Sequence, residues 1–223
     1  MKNTVKFLLI PVAMACAFAA QAQTAGTWMV RGGVTKITPN VSSGDLSAPS
    51  LAGTKASVNS STKVSGGITY MLNDNFSIDL PLSVPFQHEI SGDGAVLGAG
   101  KIADVKALPV TLLGQWRFME PTAAFRPYVG VGITYAAFYG ARATSTLTAI
   151  TGGSPSNPTT LSIDSKWAAT VQLGASFALN SSWFLDANYT YTPLTTRTTM
   201  STGQTQDIRL DPSSVSLTVG YKF

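Results

Sequence analysis

The chain is predicted to be all-β: an eight-stranded antiparallel transmembrane β-barrel with short periplasmic turns and long extracellular loops. Three observations predict it. Over residues 215–223, Val215, Leu217, Val219, Tyr221 and Phe223 alternate with Ser216, Thr218, Gly220 and Lys222, and the run ends on an aromatic. A period of two marks a strand with one oily and one wet face. In lipid such a strand must close onto the first, with its terminal aromatic at the membrane boundary. Second, the connections between strand-like segments alternate short and long along the whole chain. Third, charged residues are only 12% of the chain, against about 25% in soluble domains. Mean hydropathy is nonetheless +0.18.

Residues 1–22 read as a signal peptide that is cleaved, leaving 23–223 as one barrel domain. Lys2 and Lys6 precede an apolar run, and Ala20-Gln21-Ala22 is a small-x-small cleavage site. The run is too short for a spanning helix. Lipidation at Cys16 is the rival; Ala13 stands where a large aliphatic residue is usual, and the site at Ala22 is better. Cys16 is the sole cysteine, so cleavage removes any disulfide, thiol nucleophile or thiolate metal site. Loss of Lys2 and Lys6 lowers the formal charge from +4 to +2. No Lys/Arg run suggests nucleic acid.

The strands follow in order. Residues 27–37 put Trp28, Val30, Gly32 and Val34 on one face. Residues 62–71 alternate through Val64, Ile68 and Tyr70. Residues 76–88 set Phe76, Ile78, Leu80, Leu82, Val84 and Phe86 against Ser77, Asp79, Pro81, Ser83, Pro85 and Gln87. Residues 105–118 carry Leu108, Val110, Leu112, Trp116 and Phe118. Residues 126–141 oppose Val129, Val131, Ile133, Tyr135 and Tyr139 to Gly130, Gly132 and Thr134. Residues 166–179, 183–196 and 209–223 complete the set. Segments 72–75, 119–125 and 180–182 are short turns, and in the first of them Asn and Asp tolerate left-handed backbone. Segments 38–61, 89–104, 142–165 and 197–208 are long loops, expected to be mobile because they are rich in Gly, Ser, Thr and Pro.

These strands run about 10 to 15 residues, beyond the globular mode of about 5 to 6 and long enough to cross hydrocarbon. Aromatics gather at their ends: Phe76, Trp116, Phe118, Phe177, Trp183, Tyr221 and Phe223 near the turns, and Phe86, Tyr139, Tyr189 and Tyr191 toward the loops. Rings with a polar edge favour the lipid–water boundary. A soluble lipocalin-like barrel would alternate equally well but would turn its apolar face inward.

Charges fall at the inward positions of Arg31, Lys63, Asp79, Arg117, Arg126, Lys166, Asp186 and Lys222. They look scattered along the barrel, with Asp79 and Arg117 placed to pair across adjacent strands. An eight-stranded barrel is just wide enough for side chains to fill, so one reading is a plugged structural anchor. Inward Pro81, Pro85, Gly130, Gly132 and Gly174 instead favour space for a solute. His88 is the lone histidine, expected at the rim. Ser83, Glu89 and Ser91 supply the residue types of a hydrolase, but neighbours on a strand point to opposite faces. No enzyme, cofactor or metal site is expected, since one His and scattered carboxylates give no ligand spacing.

Several stretches together resemble the outer membrane protein W (OmpW) family. They are Trp28-Met29-Val30-Arg31-Gly32-Gly33, Ile68-Thr69-Tyr70-Met71-Leu72-Asn73-Asp74-Asn75, Pro85-Phe86-Gln87-His88, Leu108-Pro109 with Gln115-Trp116, Phe125-Arg126-Pro127-Tyr128-Val129-Gly130-Val131-Gly132, and Arg209-Leu210-Asp211-Pro212 leading to Gly220-Tyr221-Lys222-Phe223. The resemblance implies a barrel in the outer membrane of a Gram-negative bacterium, giving small hydrophobic or amphipathic molecules a narrow path. It also implies a lumen closed by bulky apolar side chains. Pro81 and Thr190 are not such plugs, so the seal would need Met29, Leu113, Phe138 or Phe184. With Asp79 and Gly132 these make the candidate lumen lining. Expected partners are outer-membrane lipid and lipopolysaccharide, small hydrophobic solutes, and the barrel assembly machinery through Phe223. A surface adhesin or receptor acting through the loops is a further alternative.

Overall fold

The structure is a computed structural model describing residues 23–223. The expected signal peptide, with Cys16, lies outside the described residues. In chain order the elements are β1 (Trp28–Thr38), β2 (Ser42–Ser43), β3 (Thr54–Val58), β4 (Ser61–Met71), β5 (Phe76–Ser83), β6 (Phe86–Gly94) and β7 (Lys101–Arg117). They continue with β8 (Phe125–Ala143), α1 (Ser145–Ile150), β9 (Leu161–Ile163), β10 (Lys166–Ala178), β11 (Trp183–Tyr191), β12 (Thr195–Met200), β13 (Thr205–Arg209) and β14 (Ser213–Lys222).

The wall is a closed antiparallel barrel of eight strands. β1 pairs with β4, β4 with β5, β5 and β6 with β7, β7 with β8, β8 with β10, β10 with β11, and β11 with β14. β14 returns to β1, from Met29↔Lys222 to Thr38↔Ser213. Trp28 and Phe223 finish the seam by exchanging both backbone hydrogen bonds at 3.0 Å. No backbone donor at this seam is left facing lipid, as a spanning sheet requires.

Three strands predicted as continuous are each broken. The third divides into β5 and β6 around Val84-Pro85, the seventh into β11 and β12 around Pro193, and the eighth into β13 and β14 around Pro212. Proline has no N–H to give to a ladder. At Val84-Pro85 the inside–outside alternation also slips by one residue. Phe86, expected in the outer aromatic girdle, is therefore 1% exposed inside the barrel. His88 goes inside with it, while Gln87 and Glu89 turn outward.

Below that level the outward face is apolar throughout: Val30, Val34, Val64, Leu82, Val110, Leu112, Val131, Ile133, Val171, Leu173, Leu217 and Val219 are all exposed. The inward face carries buried Arg, Asp, Gln, Thr and Ser. This polarity is the inverse of a soluble lipocalin and matches a lipid-facing wall. One girdle pairs Trp28 with Tyr70 at 4.7 Å and Trp183 with Tyr221 at 5.2 Å. The other holds Tyr135 against Trp167 at 4.9 Å, with Tyr139 and Tyr189 exposed nearby. Above it the outward residues become Lys36, Gln87, Glu89, Lys106 and Arg197, which places β6 and β12 outside the bilayer.

The long loops carry strands and a helix of their own, which the alternation in the sequence did not mark. β2, β13, β12 and β9 form a second sheet that carries the barrel outward. β3 and β6 extend the opposite side. Between them Leu46, Ala56, Ile90, Ile102, Val105, Leu147 and Met200 pack into an apolar core, with α1 supplying Leu147. These loops hide enough aliphatic residues among their Ser and Thr to bury a core of their own.

Candidate functional site

The periplasmic half of the lumen is filled by a buried polar network. Arg31 Nη1 and Nη2 donate to the two carboxylate oxygens of Asp79 at 2.6 and 2.8 Å, and Nη1 also donates to Thr69 at 2.7 Å. The expected Asp79–Arg117 pair does not form, because Arg31 reaches Asp79 first across β4. Arg117 instead donates to Ser77 and Gln115 at 3.2 and 2.8 Å and lies 4.6 Å over the Tyr128 ring. Tyr128 donates its hydroxyl to Asp186, with both carboxylate oxygens at 3.0 Å, and Asn188 donates to the same carboxylate. Gln115 donates to Gln172 at 2.7 Å.

Lower still, Arg126 donates to the backbone carbonyls of Gln23, Asp74, Phe118 and Met119, tying three segments of the periplasmic end together. Met29, Met71 and Phe184 pack beside them as a small apolar cluster. The inward charges are thus grouped at one end rather than scattered. Lys63 is only half-buried, and Lys166 is exposed and paired with Asp164 at 3.3 Å.

The inward glycines seat this plug instead of leaving space for a solute. A Cβ on Gly67 would meet the Arg31 guanidinium, one on Gly174 the Tyr128 ring, and one on Gly220 the Phe184 ring. Gly130 faces Gln172 and Gln115. Gly132 lies against the backbone of Leu112 and Leu113, so a side chain there would push on the wall and not into the lumen.

Above the plug two cavities are stacked along the axis. The lower, of about 120 Å³, is lined by hydroxyls such as Thr35, Ser65, Thr134 and Ser216 together with Phe86 and Leu113. The upper, of about 80 Å³, is almost wholly apolar, with Val58, Ile90, Val105 and Phe138 around it. Ile37, Pro109, Ala136, Leu194 and Pro212 border both and form the neck between them.

Beside the lower cavity the backbone ladder of the wall is interrupted. β5 pairs with β7 only from Phe76↔Trp116 to Asp79↔Leu113. Pairing resumes at Phe86↔Ala107, displaced by one residue. Between these points residues 80–85 and 108–112 form no ladder with one another. Pro81, Pro85 and Pro109 lie in the gap and contribute no stranded N–H. Leu82 lines the lower cavity and is 47% exposed, so one residue separates the cavity from the lipid side there.

Of the candidate lumen residues, Pro81, Leu113 and Thr190 line the lower cavity and Phe138 the upper. Asp79 belongs to the plug, Met29 and Phe184 to the apolar cluster at its base, and Gly132 to the wall. His88, expected at the rim, lines the upper cavity, and its Nδ1 lies 2.8 Å from the Asn59 carbonyl. Burial pushes its pKa below the usual range. Glu89 is exposed and pairs with Lys101 at 3.5 Å, so the two neighbours do not converge. Tyr128, Gln115 and Gln172 were given no role in the lumen from the sequence. Each holds an inward position on its strand, and a large polar side chain there was the available signal. Among the described residues no cluster of His, Cys, Asp or Glu could hold a metal ion.

The model of the OmpW family matches residues 24–223. Outer membrane protein W of Vibrio cholerae serotype O1 is 33% identical over 229 residues, spanning 100% of both chains. Outer membrane protein W of Escherichia coli K12 is 31% identical over 92% of each. The crystal structure of the outer membrane protein OprG from Pseudomonas aeruginosa superposes with a TM-score of 0.80 at 30% identity, covering 92% of this chain and 99% of that one.

Proposed function

The chain belongs to the OmpW family of outer-membrane β-barrels, and on that premise we propose that it passes small hydrophobic or amphipathic solutes from the cell exterior into the outer leaflet. The solute enters the apolar upper cavity, crosses the neck at Leu194 and Pro212, and leaves sideways through the gap between β5 and β7. The observation that carries this reading is the unpaired stretch at Pro81 and Pro109, which borders a cavity whose floor is closed. A polar plug stops an apolar molecule because displacing its hydrogen bonds inside the barrel is costly. The proposed path uses no catalysis. Lipid and lipopolysaccharide surround the barrel, and exposed Phe223 is the contact for the assembly machinery.

The test is the arrival of naphthalene, followed by its fluorescence, in proteoliposomes with a lipopolysaccharide outer leaflet. Protein-containing vesicles should fill faster than empty ones. Thr111→Phe and Ser83→Phe, which crowd the gap, should slow filling, whereas Asp79→Asn in the floor should not speed it. Equal rates with and without protein would instead favour the plugged anchor.

A further inference from the structure

The upper cavity is apolar except at His88, Thr196 and Thr198, which come from two different sheets. His88 stands on β6 in the large sheet, and Thr198 on β12 in the outer four-stranded sheet. The backbone carbonyl of Asn59 can only accept, so His88 Nδ1, 2.8 Å away, carries the ring proton. In the neutral imidazole Nε2 is then a hydrogen-bond acceptor. Among the described residues Nε2 has no hydrogen-bond partner. Thr198 is 3% exposed, and its hydroxyl has no partner either. Its neighbour in the cavity, Thr196, donates to the Asp164 carbonyl at 2.6 Å, so Thr198 is unlike the other hydroxyl there. The buried Thr198 hydroxyl without a partner is a standing cost of folding.

We infer that His88 Nε2 and the Thr198 hydroxyl are a specificity pair that recognises the hydroxyl head of an amphipathic solute while the cavity wall takes its hydrocarbon tail. An alcohol O–H donates to Nε2, and its oxygen accepts from Thr198. The buried Thr198 hydroxyl then gains the partner it lacks, and Nε2, which is accessible within the cavity, accepts a bond that a hydrocarbon cannot give. A pure hydrocarbon of equal length fills the same space but leaves both unpaired, so the site prefers the alcohol. His88 is the only titratable residue on this cavity wall among the described residues, and no fixed charge competes for the head group. A carboxylate, by contrast, would repel the lone pair on Nε2. The preferred class is therefore neutral: short alcohols and phenols. This inference rests on the proposed passage of small apolar molecules and names the chemistry that the entrance selects.

The experiment titrates the full mature barrel in lipid nanodiscs with a matched pair of probes, 1-hexanol and hexane. Methyl resonances of Ile37, Val58 and Ile90 report occupancy, and the His88 side-chain ¹⁵N shift reports hydrogen bonding at Nε2. Both probes should shift the methyls, and only hexanol should move the Nε2 signal. The hexanol-to-hexane affinity ratio should fall roughly fivefold in Thr198→Val and again in His88→Leu, the worth of one neutral hydrogen bond each. Thr198→Val is near-isosteric and keeps the fold testable if His88→Leu disturbs the Asn59 turn. Binding of both probes with an unchanged ratio, or a change in one variant alone, overturns the pair while leaving passage intact. Failure of both probes to bind overturns passage and specificity together.

Discussion

Arg31 and Asp79 form a two-pronged ion pair across three adjacent strands, at 2.6 and 2.8 Å, over a glycine that has no side chain to obstruct it. Arg31 starts on β1, Asp79 sits on β5, and Gly67 and Thr69 occupy the intervening β4. The pair bridges the first, second and third wall strands from inside, below the gap between β5 and β7. Asp79 is also the last residue of β5 that pairs with β7, so the ion pair stands at the point where that ladder stops.

Cutting this pair should cost far more than removing it whole. Asp79→Ala leaves the Arg31 charge buried beside Thr69, and stability should fall by about 3–5 kcal/mol. Arg31→Met with Asp79→Leu should recover most of that loss, since no charge is stranded. Urea unfolding in detergent micelles, read by heat-modifiable gel mobility, measures both. A double variant no more stable than the single one would mean that the pair itself supplies the register.

Glycine replacements should separate by what each Cβ meets. Gly220→Ala runs into the Phe184 ring and should destabilise the barrel by about 1–3 kcal/mol. Combining it with Phe184→Leu should relieve most of the strain. Gly32 meets nothing within 4 Å, and Gly32→Ala should be neutral or slightly stabilising. The same unfolding assay ranks them. If the two alanine variants were equally stable, the seating of Phe184 on Gly220 would not be a constraint.

The wall strands, their count and their lipid-facing residues were legible because period-two alternation persists over whole strands such as 126–141 and 209–223. The position of Phe86 was not. Alternation carries through Val84-Pro85 in the sequence, and only the missing ladder to β7 reveals the slip that turns Phe86 and His88 inward. Inward glycines misled for a related reason. Gly174 signals an absent side chain, but whether solvent or Tyr128 fills that place depends on a strand that is distant in sequence. The partners of Asp79 were likewise ambiguous, since Arg31 and Arg117 both stand on strands within reach. The outer sheet escaped notice because its strands are as short as Ser42–Ser43 and Leu161–Ile163 and lie among loop-forming residues.

Acidification should loosen the outer extension through His88. Burial holds its imidazole below the ordinary value of about 6.5, although the bond to the Asn59 carbonyl opposes the shift. As pH falls through that ordinary value, the unfolded chain takes up the proton before the folded one does. The folded state therefore loses stability from about pH 6.5 downward until the folded pKa is passed. Above about pH 6.5 the contribution is fully present. Each unit of depression corresponds to about 1.4 kcal/mol. No other titratable side chain lines this cavity among the described residues. His88→Leu should consequently flatten the fall in urea midpoint between pH 7.5 and pH 5, and NMR titration of wild-type His88 should give a midpoint below 6.5. An equal fall in His88→Leu, or a midpoint above 6.5, would assign the pH dependence to the carboxylates of the outer sheet instead, where Asp207 lies 2.7 Å from Arg197.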